Sequence, residues 1–316
     1  VGATSQNISI LKDLEKLPGC CGIKLFMGSS TGNLLVKDDA DIEKIVAASV
    51  RRMSVHCEDE NRLIERKALL GPTPNVQMHP IWRDEETALI ATKKIVGFAE
   101  KYKRFVHILH VTTAQEMEFL AQHKKYATVE CTPQHLTLYA PECYEALDTF
   151  AQMNPPIRER KHLIGLWKAL SENVIDVLGS DHAPHTREEK LKGYPNTPSG
   201  MPGVQTLLPL MLNHVNDGKL SLQKLVEIIS INPARIFKIQ NKGSITEGFD
   251  ADITLVDLKA ERVISNEWIA SKCAWTPFHG KKVTGWPKMT IVNGVLAMQD
   301  DKVVGNPAGR PCQFIN

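Results

Sequence analysis

The sequence predicts an α/β protein of parallel strand–helix units, followed by a small β domain. Three observations carry this expectation. Short apolar runs alternate with amphipathic stretches through residues 1–242. After 243 the pattern becomes turn, strand, turn, strand. Histidines and acidic residues sit where apolar runs end, and a (β/α) barrel puts its chemistry at that end of its strands.

Each element follows from a local signal. The runs at 22–27, 53–56, 105–110, 127–131 and 174–178 are short and apolar, as buried strands are. Helical patterns fill the gaps. Residues 39–52 form one, with Asp39 as its cap and Ile42, Ile45 and Val46 as its apolar stripe. Residues 85–101 form another. A third spans 113–123, where Thr113 and Glu116 make a capping-box pair. A last helix covers 222–237. Strand, helix, strand in repetition means parallel βα units.

A full barrel needs eight such units. Five runs, with long connections at 57–85 and 132–165, imply disguised strands or a barrel that lacks its start in this chain. Asn293-Gly294 between apolar runs signals a hairpin. The expected division is therefore a partial barrel at 1–242 and a small β-sandwich-type domain with a tail at 243–316, the boundary lying within 238–245.

Composition narrows the function. Thirty-eight basic residues against 36 acidic ones give a net charge of +2, which offers nucleic acid or an anionic membrane no reason to bind. No apolar run reaches transmembrane length. Seven scattered cysteines, an odd count without zinc spacing, fit a reducing cytoplasm.

The chemistry gathers at the strand ends. Gly179-Ser180-Asp181-His182-Ala183-Pro184-His185-Thr186 follows the last apolar run, so an aspartate and two histidines leave a strand tip together. Lys24 lies inside an apolar strand, where an ammonium is costly. It either snorkels to the rim or stands as a neutral amine open to covalent chemistry. His56 and His110 end the second and third runs, and each alone reads equally as a packed histidine or a ligand. Taken together, Lys24, His56, His110 and Asp181 would converge on one mouth. Two histidines and an aspartate suit zinc with an open position for water. His182 is expected to support the site. His107 is expected on the opposite strand face, as a structural residue. His79, His123, His162, His214 and His279 lack motif support and read as surface or packing residues. Thr31 is placed on a loop over the mouth.

Longer stretches carry a resemblance. Gly-Ile-Lys24-Leu-Phe-Met-Gly-Ser-Ser, Val-His56-Cys-Glu-Asp-Glu and His-Ile-Leu-His110-Val-Thr-Thr resemble the amidohydrolase superfamily. The Asp181 motif resembles its dihydroorotase branch. The likeness continues through Met153-Asn154-Pro155-Pro156-Ile157-Arg158, Gly200-Met201-Pro202-Gly203, Asn232-Pro233-Ala234 and Gly285-Trp286-Pro287, and so covers nearly the whole chain.

The resemblance implies a TIM-type barrel and a binuclear zinc site bridged by carbamylated Lys24. His56 and His110 would bind one Zn2+, and Asp181 the other while acting as general acid and base. Asn154, His185 and the backbone at Met201, Pro202 and Gly203 would hold the substrate. It implies interconversion of dihydroorotate and N-carbamoyl-L-aspartate in pyrimidine biosynthesis. The alternatives are a hydantoinase, dihydropyrimidinase or allantoinase activity, or a non-catalytic scaffold. A homodimer or larger homo-oligomer and association with aspartate transcarbamoylase are further implications.

Three departures stand out. The family opens its barrel with His-x-His and a following arginine, and this sequence contains no His-x-His. Val1-Gly2-Ala3-Thr4-Ser5-Gln6-Asn7 resembles the exit from the third barrel strand, so three strands would be missing, and such a chain should aggregate or complete itself through a partner. Gln134 stands where relatives often have histidine, and Gln205 where dihydroorotases often have glutamate.

Overall fold

The computed structural model describes residues 1–30 and 32–315. Thr31, placed above on a loop over the mouth, lies outside the described residues. Five strands, β1 (Ile23–Phe26), β2 (Met53–His56), β3 (Val106–Ile108), β4 (Ala127–Cys131) and β5 (Val177–Leu178), form one sheet in chain order. Every neighbouring pair is parallel. Beside β1, Gly2 makes a parallel bridge to Lys24, and the Lys24 N–H donates to the Val1 carbonyl at 2.7 Å.

Helices α1 (Asp39–Ala48), α2 (Glu85–Tyr102), α3 (Ala114–Ala121) and α4 (Arg160–Ser171) fill the four gaps between strands. Their apolar faces, including Ile42, Ile45, Val46, Ile95, Val96, Leu120 and Leu166, join Ile23, Leu25, Met53, Val55, Val106, Ile108 and Val129 in one buried core. Alternation along each strand sends the intervening side chains to the other face. The register aligns Lys24 with Ser54, Ser54 with His107, and His107 with Thr128 across that face. His107 therefore shares a face with Lys24, against the expectation that it turned away. His110 lies beyond the end of β3 at φ 37°, so strand alternation does not govern it.

Element boundaries differ from expectation for local reasons. Helix α1 begins where expected, but Asp38 is the cap, because it keeps extended backbone while Asp39 is already helical. The same helix stops at Ala48 rather than at residue 52. The buried Glu15 carboxylate accepts the N–H groups of Val50 and Arg51 at 2.7 and 2.9 Å and draws the chain out of the helix. The ladder of β5 is shorter than the apolar run, because Val129 N–H donates to the Asp176 side chain at 2.7 Å. The expected helix at 222–237 contains a π-type turn at Glu227–Ile231, just before Pro233, which brings no N–H of its own.

After that helix, β6 (Ile253–Val263), β7 (Lys282–Val292), β8 (Val295–Gln299) and β9 (Lys302–Val303) form one antiparallel sheet. It is a single four-stranded sheet among the described residues. Asn293-Gly294 turns β7 into β8 with both residues at positive φ, as a two-residue hairpin requires. Ile264, Phe278, Val283 and Trp286 pack with Leu210 of α5 (Leu207–Asn216), which fixes the sheet against the strand–helix body.

Gly285 marks a close approach of the two. It sits at φ +102°, and a Cβ there would lie 2.6 Å from the Leu212 Cβ. Gly285→Ala should therefore destabilise the fold by about 2–4 kcal/mol, from overpacking and backbone strain together. Urea denaturation checks this, and an unchanged midpoint would contradict the packing described.

Candidate metal centre and substrate mouth

His56 and His110 meet at the strand ends. The His56 Nδ1 and His110 Nε2 atoms face each other at 3.1 Å, with both rings buried. The buried Glu58 carboxylate accepts from His56 Nε2 at 2.8 Å, so the Nδ1 lone pair points at His110. Burial lowers the pKa of both rings, and for His110 the neighbouring His56 and Lys24 lower it further. His110 Nδ1 is buried without a hydrogen-bond partner among the described residues.

Lys24 and Asp181 complete the mouth. Burial pushes the Lys24 ammonium down to about 8, against the pull of Asp181 and Glu130. Its Nζ lies 4.3 Å from the centre of the Phe26 ring, and no carboxylate reaches ion-pair distance among the described residues. Burial pushes Asp181 up to about 6, Glu130 adds to this, and Lys24 opposes it. Asp181 and His110 both hold positive φ, at 42° and 37°, a strained backbone of the kind that gathers at functional sites.

Among the described residues no three His, Cys, Asp or Glu side chains already converge as a metal site. The donor set is nevertheless suited to one. Two neutral imidazoles face each other through His56 Nδ1 and His110 Nε2, and an amine with a weakened hold on its proton stands at the same mouth.

The substrate-side residues belong to two loops. Asn154 Oδ1 accepts from His79 Nε2 at 3.0 Å, and the same N–H also reaches the Met153 carbonyl. Met201, Pro202 and Gly203 are buried beside the Asp181 loop. His182 bridges to Met201 and accepts from the Gly203 N–H at 3.2 Å. A Cβ on Gly203 would lie 2.4 Å from both the Ser180 carbonyl and Gln134 Nε2, so only glycine fits there. His185 Nε2 contacts the Ser199 carbonyl at 3.2 Å and so holds its own loop.

Several participants carry no visible sequence signal. Glu130 accepts from the His110 N–H through one oxygen and contacts His107 Nε2 through the other, each at 3.3 Å. Lys190, fully buried, donates to the carbonyls of Gln152, Pro198 and Gly200 and so fixes the loop that precedes Met201. Glu58, Arg83 and His79 are buried as well. Only strand alternation, applied to Glu130, could have located any of these from the sequence.

The two other departures also find partners. Gln134 Nε2 donates to the Ser180 carbonyl at 2.8 Å, next to Asp181. Gln205 donates to the Trp268 carbonyl at 2.7 Å and accepts from the Ala270 N–H at 2.9 Å.

A model of the amidohydrolase family matches residues 39–297. The chain belongs to the amidohydrolase family. This amidohydrolase is 38% identical to the dihydroorotase of Pyrococcus abyssi over 287 residues, 90% of this chain and 65% of that one. It is 31% identical to the dihydroorotase of Methanosarcina mazei, covering 97% of this chain and 70% of that one. The chain thus spans less than two thirds of the length of the Pyrococcus abyssi relative. The L-hydantoinase of Arthrobacter aurescens shares the fold at TM-score 0.90 and 26% identity, covering 96% of this chain and 70% of that one. Among the described residues of this amidohydrolase, no helix is long and apolar enough to cross a membrane.

Two predictions follow from these partners. Gln205→Glu removes the donor to the Trp268 carbonyl and should cost about 1–3 kcal/mol, read from the denaturant midpoint. An unchanged midpoint would contradict it. Burial also keeps four histidines neutral, lowering His79 and His214 to about 3 and His135 and His162 to about 4. The unfolded chain takes up those protons near pH 6.5. It therefore binds more protons than the folded chain from about pH 6.5 down to 3, and stability should fall as pH falls through that window. His214→Gln should flatten the slope. A slope equal to that of the wild type would contradict the assignment.

Proposed function

We propose that this chain carries the active site of a zinc-dependent cyclic amidohydrolase that interconverts dihydroorotate and N-carbamoyl-L-aspartate. The observation that carries this is the facing pair His56 Nδ1 and His110 Nε2, set beside Lys24, whose pKa burial lowers to about 8, and Asp181, whose pKa burial raises to about 6. His56, His110, Asp181 and Lys24 would hold the metal, with Lys24 carbamylated. Lys24 suits that modification because only a neutral amine adds carbon dioxide, losing a proton as the carbamate forms. Bound zinc would supply Lewis-acid polarisation of the ring carbonyl and a water of lowered pKa.

The remaining work falls to this chain. Asp181, a carboxylate whose pKa burial raises to about 6, takes the proton of the attacking water and returns it to the ring nitrogen as the C–N bond breaks. Asn154, oriented by His79, and the buried backbone at Met201, Pro202 and Gly203 would hold the ring and its carboxylate. Glycine at 203 lets backbone approach the ligand. Ring closure runs the same steps backwards.

Dihydroorotate is favoured over hydantoins by the higher identity to dihydroorotases, 38% against 26% for the hydantoinase neighbour. The fold similarity to hydantoinases keeps hydantoin and dihydrouracil as the second reading. Homo-oligomer assembly and association with aspartate transcarbamoylase rest on the resemblance alone. A cytoplasmic setting is supported by seven cysteines that all stay unpaired.

Asp181→Asn should lower turnover of dihydroorotate by about 100- to 10,000-fold while leaving the melting transition cooperative. Dihydroorotate, hydantoin and allantoin assayed side by side name the substrate. Undiminished hydrolysis by the Asp181→Asn variant, or by chelated metal-free protein, would sink the proposal.

A further inference from the structure

The connection at 57–85 is long for a barrel crossover, and its last turn reaches both ends of the mouth. Arg83 is buried at 2% exposure and paired with Glu58, which is fully buried. Its Nε donates to Glu58 Oε1 at 3.0 Å, and its Nη2 reaches Glu58 Oε2 at 2.5 Å. Nη2 also donates to the Ser29 carbonyl, on the loop leaving the strand of Lys24, at 2.6 Å. Glu58 in turn holds His56 Nε2.

Arg158 locks Arg83 from behind. Its Nη1 donates to the Arg83 carbonyl, and its Nε donates to Thr112 Oγ1, on the loop leaving the strand of His110, at 3.1 Å. Four residues before Arg83, His79 orients Asn154. One short turn thus touches the loop after Lys24, the partner of His56, the backing of the His110 loop and the amide of Asn154.

We infer that the turn from His79 to Arg83 is a positioning element with two separable outputs: Arg83, through Glu58, sets the metal-binding face of His56, and His79 sets the Asn154 amide toward substrate. This rests on the proposed function, in which His56 binds metal and Asn154 binds substrate. The tautomer logic is general. A ligating histidine that donates its second N–H to a fixed carboxylate keeps its lone pair on the metal side, and loss of such a partner typically weakens metal binding about 10- to 100-fold. Asn154 instead governs substrate binding, so its support should act on KM.

The test uses the full chain, stripped of metal and titrated with zinc by calorimetry, followed by steady-state kinetics on dihydroorotate. Arg83→Met and Glu58→Gln should each weaken zinc binding about 10- to 100-fold. Arg83→Lys, which keeps the charge beside Glu58, should recover part of that loss. His79→Phe should leave zinc affinity within about twofold and raise KM about tenfold, the loss of roughly one hydrogen bond, with kcat held within about twofold. His79→Gln, which restores an N–H donor, should recover KM. Glu58→Gln keeps the test open should Arg83→Met fail to fold. Wild-type zinc affinity in Glu58→Gln, or wild-type KM in His79→Phe, would overturn the inference while the proposed function stands. A wild-type chain that binds no zinc would sink the proposed function, and the inference with it.

Discussion

The mouth depends on the buried ion pair between Arg83 and Glu58. Both groups are out of water, so each needs the other, and removing one partner of such a pair typically costs about 3–5 kcal/mol. The pair also has a directional consequence. Glu58, paired with Arg83, accepts a hydrogen bond from His56 Nε2, and His56 Nδ1 then faces His110. An ion pair that contributes little net stability thereby fixes which ring nitrogen faces the mouth.

Parallel strands supply the frame for that orientation. In-register pairing brings the ends of β1, β2 and β3 to one side, and alternation puts Lys24, His56 and His107 on the face away from the helices. Departures from regularity then do the fine placement. Positive φ at His110 and Asp181 bends each residue out of its strand direction. Lys190 and His182 fix the loop around Met201 to Gly203 through backbone carbonyls and one N–H. Rigid strands set position to within a residue, and buried polar contacts set the angle of each side chain.

Much of this was legible in the sequence, and the illegible part has a common cause. All five parallel strands lie within the apolar runs, because strands buried on the helix side read as apolar segments without helical period. His56, His110 and Asp181 were legible because a polar residue ending an apolar run is unusual. Glu58, Arg83, His79 and Lys190 were not. Charged residues are mostly exposed, so their sequence context gave no hint of burial, and only tertiary packing encloses them. Lys190 sits in Arg187-Glu188-Glu189-Lys190, a stretch that reads as a solvated helix, yet its ammonium is buried among three carbonyls. His107 departs from expectation because strand alternation ends with β3 at Ile108 and does not relate it to His110.

The most direct test of the site is anomalous diffraction at the zinc edge, from crystals grown with zinc and bicarbonate. The account predicts a zinc peak bonded to His56 Nδ1 and His110 Nε2, with added density on Lys24 Nζ. Zinc bound elsewhere, or His56 bound through Nε2 with Glu58 displaced, would contradict it.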